Sequence, residues 1–278
     1  MAFGNGVFMR SQRFWALACA DGTVIDGPVH SLLNRHRWLR LPVVRSAIVL
    51  VETIAMMILL HRRNGVRPAA SLLVWLGLAM VASLCLSLIL PELIHSALLD
   101  DALVQILSVA LALLALRQGL GKTVWRYHGA EHKAVNAYQA GADLADPEAV
   151  MAFSRIHDRC GTNLVAIIVG LLMVGYLPLG GQPVADVLGG LYAVLAVVVS
   201  FELFRLIGRW PGSLASRVVL AGGKALQRCL TTREPACEHL EPACVALRRV
   251  VELDRTAQSR HPQGYDSAIR HDGDCASA

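Results

Sequence analysis

Charge is scarce in this chain. Asp, Glu, Lys and Arg make up 17% of its 278 residues, against about a quarter in ordinary soluble proteins. Apolar residues reach 55%. A soluble core could not hide so many, so a bilayer is the natural solvent for the surplus. Other signals are absent too. The opening stretch, MAFGNGVFMRSQRFWALACADGTVIDGP, holds no apolar run long enough for a signal core and carries glycine turns instead. Cysteine is present seven times, at irregular spacing. An odd, irregular set argues against a disulfide framework and for reduced thiols on a cytoplasmic face. No nucleotide-binding glycine loop, Ser-His-Asp order or nucleic-acid module is found. The net charge of +5 is read as topology, not as a nucleic-acid footprint.

Long apolar runs are what the chain does have. AASLLVWLGLAMVASLCLSLIL, residues 69–90, carries no charge and has bilayer-spanning length. ALVQILSVALALLAL, residues 102–116, runs back and is short enough to borrow flanking residues or thin the bilayer. A second hairpin is expected from residues 163–179, a turn through GGQP, and residues 185–207. All 26 Lys and Arg residues lie before 69, between 117 and 159, or from 205 onward, and the loops 91–101 and 180–184 have none. With four spans those three basic segments share one side, and the positive-inside rule makes that side the cytoplasm. LPVVRSAIVLVETIAMMILL, residues 41–60, carries Arg45 and Glu52. Both are costly at mid-bilayer, so an amphipathic or re-entrant helix is expected there, with a fifth span as the alternative. Asp-Gly between FWALACA and VIDGPV signals a small N-terminal β-hairpin.

Between the two hairpins stands RYHGAEHKAVNAY. His128, Glu131 and His132 form H-x-x-E-H, the order of inverzincin-type metallopeptidases, and on a helix the two histidines share a face. Chance would produce about 0.01 copies in a chain with this many His and Glu. Two histidines are an incomplete zinc site. SRIHDRCGTN offers His157 and Cys160 at H-x-x-C spacing, just before the third expected span. Four ligands would close a structural tetrahedron, and three would leave a catalytic opening. A solvated helix face and a docking surface are the bland alternatives. Lys133 reads as a positive-inside anchor, and Glu202 and Arg205 as a helix pair or a group supporting the histidine cluster. Cys237, His239 and Cys244 match no common metal spacing.

GVFMRSQRFWALACADGTVI, LPVVRSAIVLVET, YHGAEHKAVNAY, SRIHDRCGTNL, SFELFRLIGR and LTTREPACEHLEPACVAL occur in this order. Together they resemble the YqhQ-like family of bacterial multipass membrane proteins, a domain of unknown function often described as a predicted metal-dependent enzyme. The resemblance runs from Gly4 to Leu253. It implies a bacterial cytoplasmic-membrane protein and maps the family's presumed metal residues onto His128, Glu131, His132, His157 and Cys160. The chain departs from the family pattern at Phe8, Ser46, Asp158, Cys237 and Cys244, and none of these is an expected ligand.

The expected architecture is therefore a mainly α polytopic membrane protein with four transmembrane helices as two hairpins. Residues 1–68 hold the β-hairpin and the amphipathic or re-entrant helix, and 69–118 the first hairpin. Residues 119–161 form a cytoplasmic loop with both motifs, 162–208 the second hairpin, 209–257 a cytoplasmic helical region, and 258–278 a disordered tail. Both termini are expected in the cytoplasm. The expected function is a hydrolase-like enzyme using a divalent metal, zinc first. His128, His132, His157 and Cys160 are the metal ligands and Glu131 is the catalytic base. Its partners are the lipid bilayer and a membrane-protein or lipid-linked substrate, with no nucleic acid. A non-enzymatic assembly or scaffold factor with a structural His/Cys cluster is the alternative. A transporter is weaker, since four spans are few and carry little charge along their middles.

Overall fold

Turn chemistry at the N-terminus builds a meander rather than a lone hairpin. Strands β1 (Ala2–Phe3), β2 (Gly6–Arg10), β3 (Phe14–Cys19) and β4 (Val24–Pro28) pair antiparallel in that order. The expected Asp-Gly turn joins β3 to β4, where Cys19 N–H donates to Thr23 O at 2.9 Å. The computed structural model describes residues 1–34, 39, 41–42, 44–63, 70–93, 97–176 and 187–260. The basic cluster at 35–40, the GGQP turn and the tail from 261 lie outside the described residues.

The rest is mainly helical: α1 (Val44–Arg63), α2 (Ala70–Leu93), α3 (Ala97–Gln139), α4 (Pro147–Met151), α5 (Gly161–Tyr176), α6 (Val187–Arg209), α7 (Leu214–Leu226) and α8 (Cys237–Arg260). α3 is interrupted at Gly121, which takes φ 77° and ψ 169°. That backbone conformation strains any residue with a Cβ. The chain divides into two compact units after Ser31, at this glycine, and at the Arg159–Cys160 and Leu230–Thr231 bonds.

The first unit joins residues Met1–Ser31, Lys122–Arg159 and the described chain from Thr231. Its core is apolar and drawn from all three segments. Val7 and Ala16 come from the sheet, Ala130 and Ala134 from α3, and Leu240 and Ala243 from α8. Small alanines on α3 let the helix sit close to its neighbours. At the edges, Arg249 on α8 pairs with Asp26 of β4 at 3.1 Å, and Ser11 donates to Asp254 at 3.1 Å.

The second unit holds α1, α2, the first part of α3, and α5 to α7. Among the described residues three stretches, Leu72–Leu90, Leu103–Gln139 and Leu191–Arg209, belong to helices long and apolar enough to cross a membrane, and Gly161–Val174 is a shorter apolar helix. Their outward residues are apolar, with Met80 72% and Leu88 68% exposed. The 41–60 stretch is helical as α1, and its arginine has a specific partner. Arg45 reaches Glu202 of α6 at 2.6 Å, and Ser46 Oγ donates to the same carboxylate at 2.6 Å. Arg205, the expected i,i+3 partner of Glu202, is farther away at 3.6 Å. Pairing and hydrogen bonding offset the cost of taking a carboxylate out of water, and here they tie α1 to α6.

Candidate metal centre

α3 restarts after Gly121, and its second part carries the H-x-x-E-H motif on a helix, as the spacing predicts. The rings of His128 and His132 meet edge to face one turn apart, with centroids 4.4 Å apart. The opposite side of this helix is core, so the histidines are held on a fixed cylinder.

Each imidazole is oriented through its Nδ1. His128 Nδ1 donates to Thr231 O at 2.7 Å, and His132 Nδ1 donates to Arg155 O at 2.7 Å. A carbonyl oxygen can only accept, so both rings carry a proton on Nδ1, and in the neutral form Nε2 is the lone-pair nitrogen. This is the tautomer and the backbone support seen for metal-ligating histidines. Ligand nitrogens of His128 and His132 lie within 4.8 Å of each other. Cys160, the expected further ligand, is bonded to Arg159 and opens the next segment of the second unit. The Cys160 sulfur accepts the Thr162 N–H and hydrogen-bonds the Thr162 hydroxyl, both at 3.3 Å.

Glu131 lies beside the histidines. Its Oε1 is 2.7 Å from the Met1 amino nitrogen. Its Oε2 is buried and has no hydrogen-bond partner. A buried carboxylate oxygen without a donor is costly, and it points to a cation, a water or a transferable proton in that space. Two imidazole Nε2 atoms one helical turn apart suit zinc or another borderline-soft divalent ion.

His157 takes a different position. Its ring centroid is 5.8 Å from that of His132, and its Nδ1 accepts the Arg159 N–H at 3.2 Å. In the neutral ring the proton is then on Nε2, the reverse of the other two histidines. Burial, with His132 beside it, pulls its pKa down to about 4. Within the first unit the three histidines thus lie side by side, His128 against His132 and His132 against His157.

Two features of the motif have roles that the sequence did not reveal. Lys133, expected as a surface anchor, is 4% exposed. Its Nζ donates to Met151 O and Phe153 O at 2.7 Å and pairs with Glu234 at 2.7 Å. Asn136 donates to Ser154 O at 2.7 Å and Ile156 O at 3.1 Å. With His132, these side chains hold a run of carbonyls from 151 to 156 against α3 and so carry Arg155 and His157 into place. The second feature is Gly129. A Cβ there would lie 2.2 Å from Arg233 O. The segment after Thr231 therefore runs against the helix backbone, which puts Thr231 O in reach of His128. A glycine in mid-helix costs about 1 kcal/mol relative to alanine; it was the one available sign of this close approach.

The model of the family described as Protein of unknown function (DUF1385) matches residues 41–253, which include every candidate ligand. The uncharacterized protein YqhQ of Bacillus subtilis (strain 168) is 30% identical over 149 residues, or 52% of this chain. The match spans 46% of that relative's own length. No solved structure matches the chain. The H-x-x-E-H helix, its oriented imidazoles and the HDRC segment all fall within a match covering most of the sequence, and the chain belongs to the DUF1385 family of YqhQ-like proteins of unknown function.

Proposed function

We propose that this chain is a metal-dependent, hydrolase-like membrane enzyme with its site at the cytoplasmic boundary of a bacterial cytoplasmic membrane. One observation carries the reading. Two histidines one helical turn apart each donate Nδ1 to a backbone carbonyl at 2.7 Å, so that their Nε2 atoms are the ligand-competent nitrogens beside a buried carboxylate oxygen with no partner. His128, His132 and Cys160 would hold a divalent cation, zinc first. The cation would supply Lewis acidity. Glu131 would take and return a proton at Oε2. His157, neutral and buried, would orient His132 and exclude water rather than bind. The distribution of Lys and Arg favours four spans with both termini inside, and the substrate would be a membrane-protein or lipid-linked group.

A second reading has its own support. His132 is 4% and Cys160 5% exposed, as in a closed structural centre, and the clamp on 151–156 is what a scaffold would need. Glu131→Gln separates the two readings. It keeps shape and should leave metal content and thermal unfolding unchanged. In a strain lacking the native gene, loss of complementation by this variant supports the enzyme, and full complementation removes the catalytic role.

A further inference from the structure

Segment 209–230, expected as part of a cytoplasmic helical region, carries helix α7, which leaves an apolar face exposed. The face it turns inward mixes polar, small and apolar residues: Ser216 is 2% and Leu220 7% exposed, Gly223 is buried, and Gln227, in the turn that follows, is 0%. Gln227 Nε2 donates to the buried Asn163 of α5 at 3.3 Å. Gly223 lies so close to Asn163 that a Cβ would fall 1.7 Å from its Oδ1. The face it turns outward is apolar. Leu214 is 77% and Val218 64% exposed, and Trp210, one turn before Leu214, is 58% exposed. A water-facing helix has the opposite arrangement.

The charge of the segment names what covers this face. Between Glu202 and Glu234 there is no acid, while Arg205, Arg209, Arg217, Lys224, Arg228 and Arg233 give six cations. Arg209 lies over the Trp210 ring, 5.7 Å from its centroid. An interfacial tryptophan, an outward apolar stripe and flanking arginines are the composition of a helix lying in the headgroup region of an anionic leaflet. A protein partner would be expected to present acids against these cations and apolar side chains against the stripe. A second copy of this segment would bring like charges together. We propose that α7 is an interfacial helix that binds anionic phospholipid, with Leu214 and Val218 in the acyl region and Arg217 and Arg228 at the headgroups. This is independent of the metal centre.

The test uses the full chain in nanodiscs of phosphatidylcholine with phosphatidylglycerol. A nitroxide is placed at Val218→Cys after Cys85, Cys229, Cys237 and Cys275 are changed to Ser, with Arg248→Cys on α8 as the water-facing control. Oxygen should relax the Val218 label several-fold more than a water-soluble nickel chelate does, and the control should show the reverse. Relaxation dominated by nickel at Val218, or a label shielded from both agents, overturns the proposal. The double variant Arg217→Gln/Arg228→Gln should lose the wild-type enrichment of co-purified phosphatidylglycerol over phosphatidylcholine. Equal enrichment in both proteins overturns the anionic part.

Discussion

α7 and α8 follow one another in the chain and have opposite polarity. α8 buries Leu240, Leu247 and Val250 and exposes Glu238, Glu241 and Arg248. α7 buries Ser216, Gly223 and one leucine, Leu220, and exposes Leu214 and Val218. The same physical rule gives both, since each helix turns its apolar stripe toward the least polar neighbour. For α8 that neighbour is the sheet and α3. For α7 it is outside the protein. Amphipathic periodicity announces two faces, and packing decides which of them is inside.

The largest expected effect breaks the comparison at its centre. Val250→Asp puts a carboxylate into the core of the first unit at a residue that is 4% exposed. It should cost about 3 kcal/mol or more in thermal unfolding. Val218→Asp, the same chemistry on α7, should change unfolding of the detergent-solubilised protein by under about 0.5 kcal/mol and destabilise only the bilayer-reconstituted form. Equal loss in detergent for both variants would erase the distinction.

A smaller effect tests the inner face of α7. Gly223→Ala must displace Asn163, which is fully buried and bonded to Gln227. The expected cost is about 1–2 kcal/mol, read from chemical denaturation. No cost would mean that the inner face is not packed as described.

The smallest concerns pH and α8. His239 is 4% exposed, and burial holds its pKa below the usual histidine value despite Glu238. The folded ring stays neutral where the unfolded ring takes a proton. The unfolded state therefore binds more protons just below the ordinary histidine pKa, and stability falls as pH drops through that window. His239→Phe should flatten the acid side of the stability–pH curve. An unchanged slope would assign the acid loss to other groups.

Some of this was legible from the residues alone. H-x-x-E-H is local, so helical spacing was enough to place His128 and His132 together. Asp-Gly gave the β3–β4 turn for the same reason. Pairings distant in sequence left no comparable mark. Nothing local says that Arg45 meets Glu202, or that Lys133 binds carbonyls near 151 rather than facing lipid headgroups. His157 shows the limit most clearly. H-x-x-C spacing allows both side chains to reach one ion, and that the Arg159 N–H donates to His157 Nδ1 is visible only in the fold.

The central claim is the proposal that His128 and His132 bind a metal ion. Elemental analysis of the gently purified full-length protein tests it most directly, alongside a His128→Ala/His132→Ala variant that elutes like the wild type. The account predicts about one equivalent of a divalent transition metal in the wild type and less than about a tenth in the variant. A wild-type content below about a tenth, or a full equivalent retained by the variant, would contradict it.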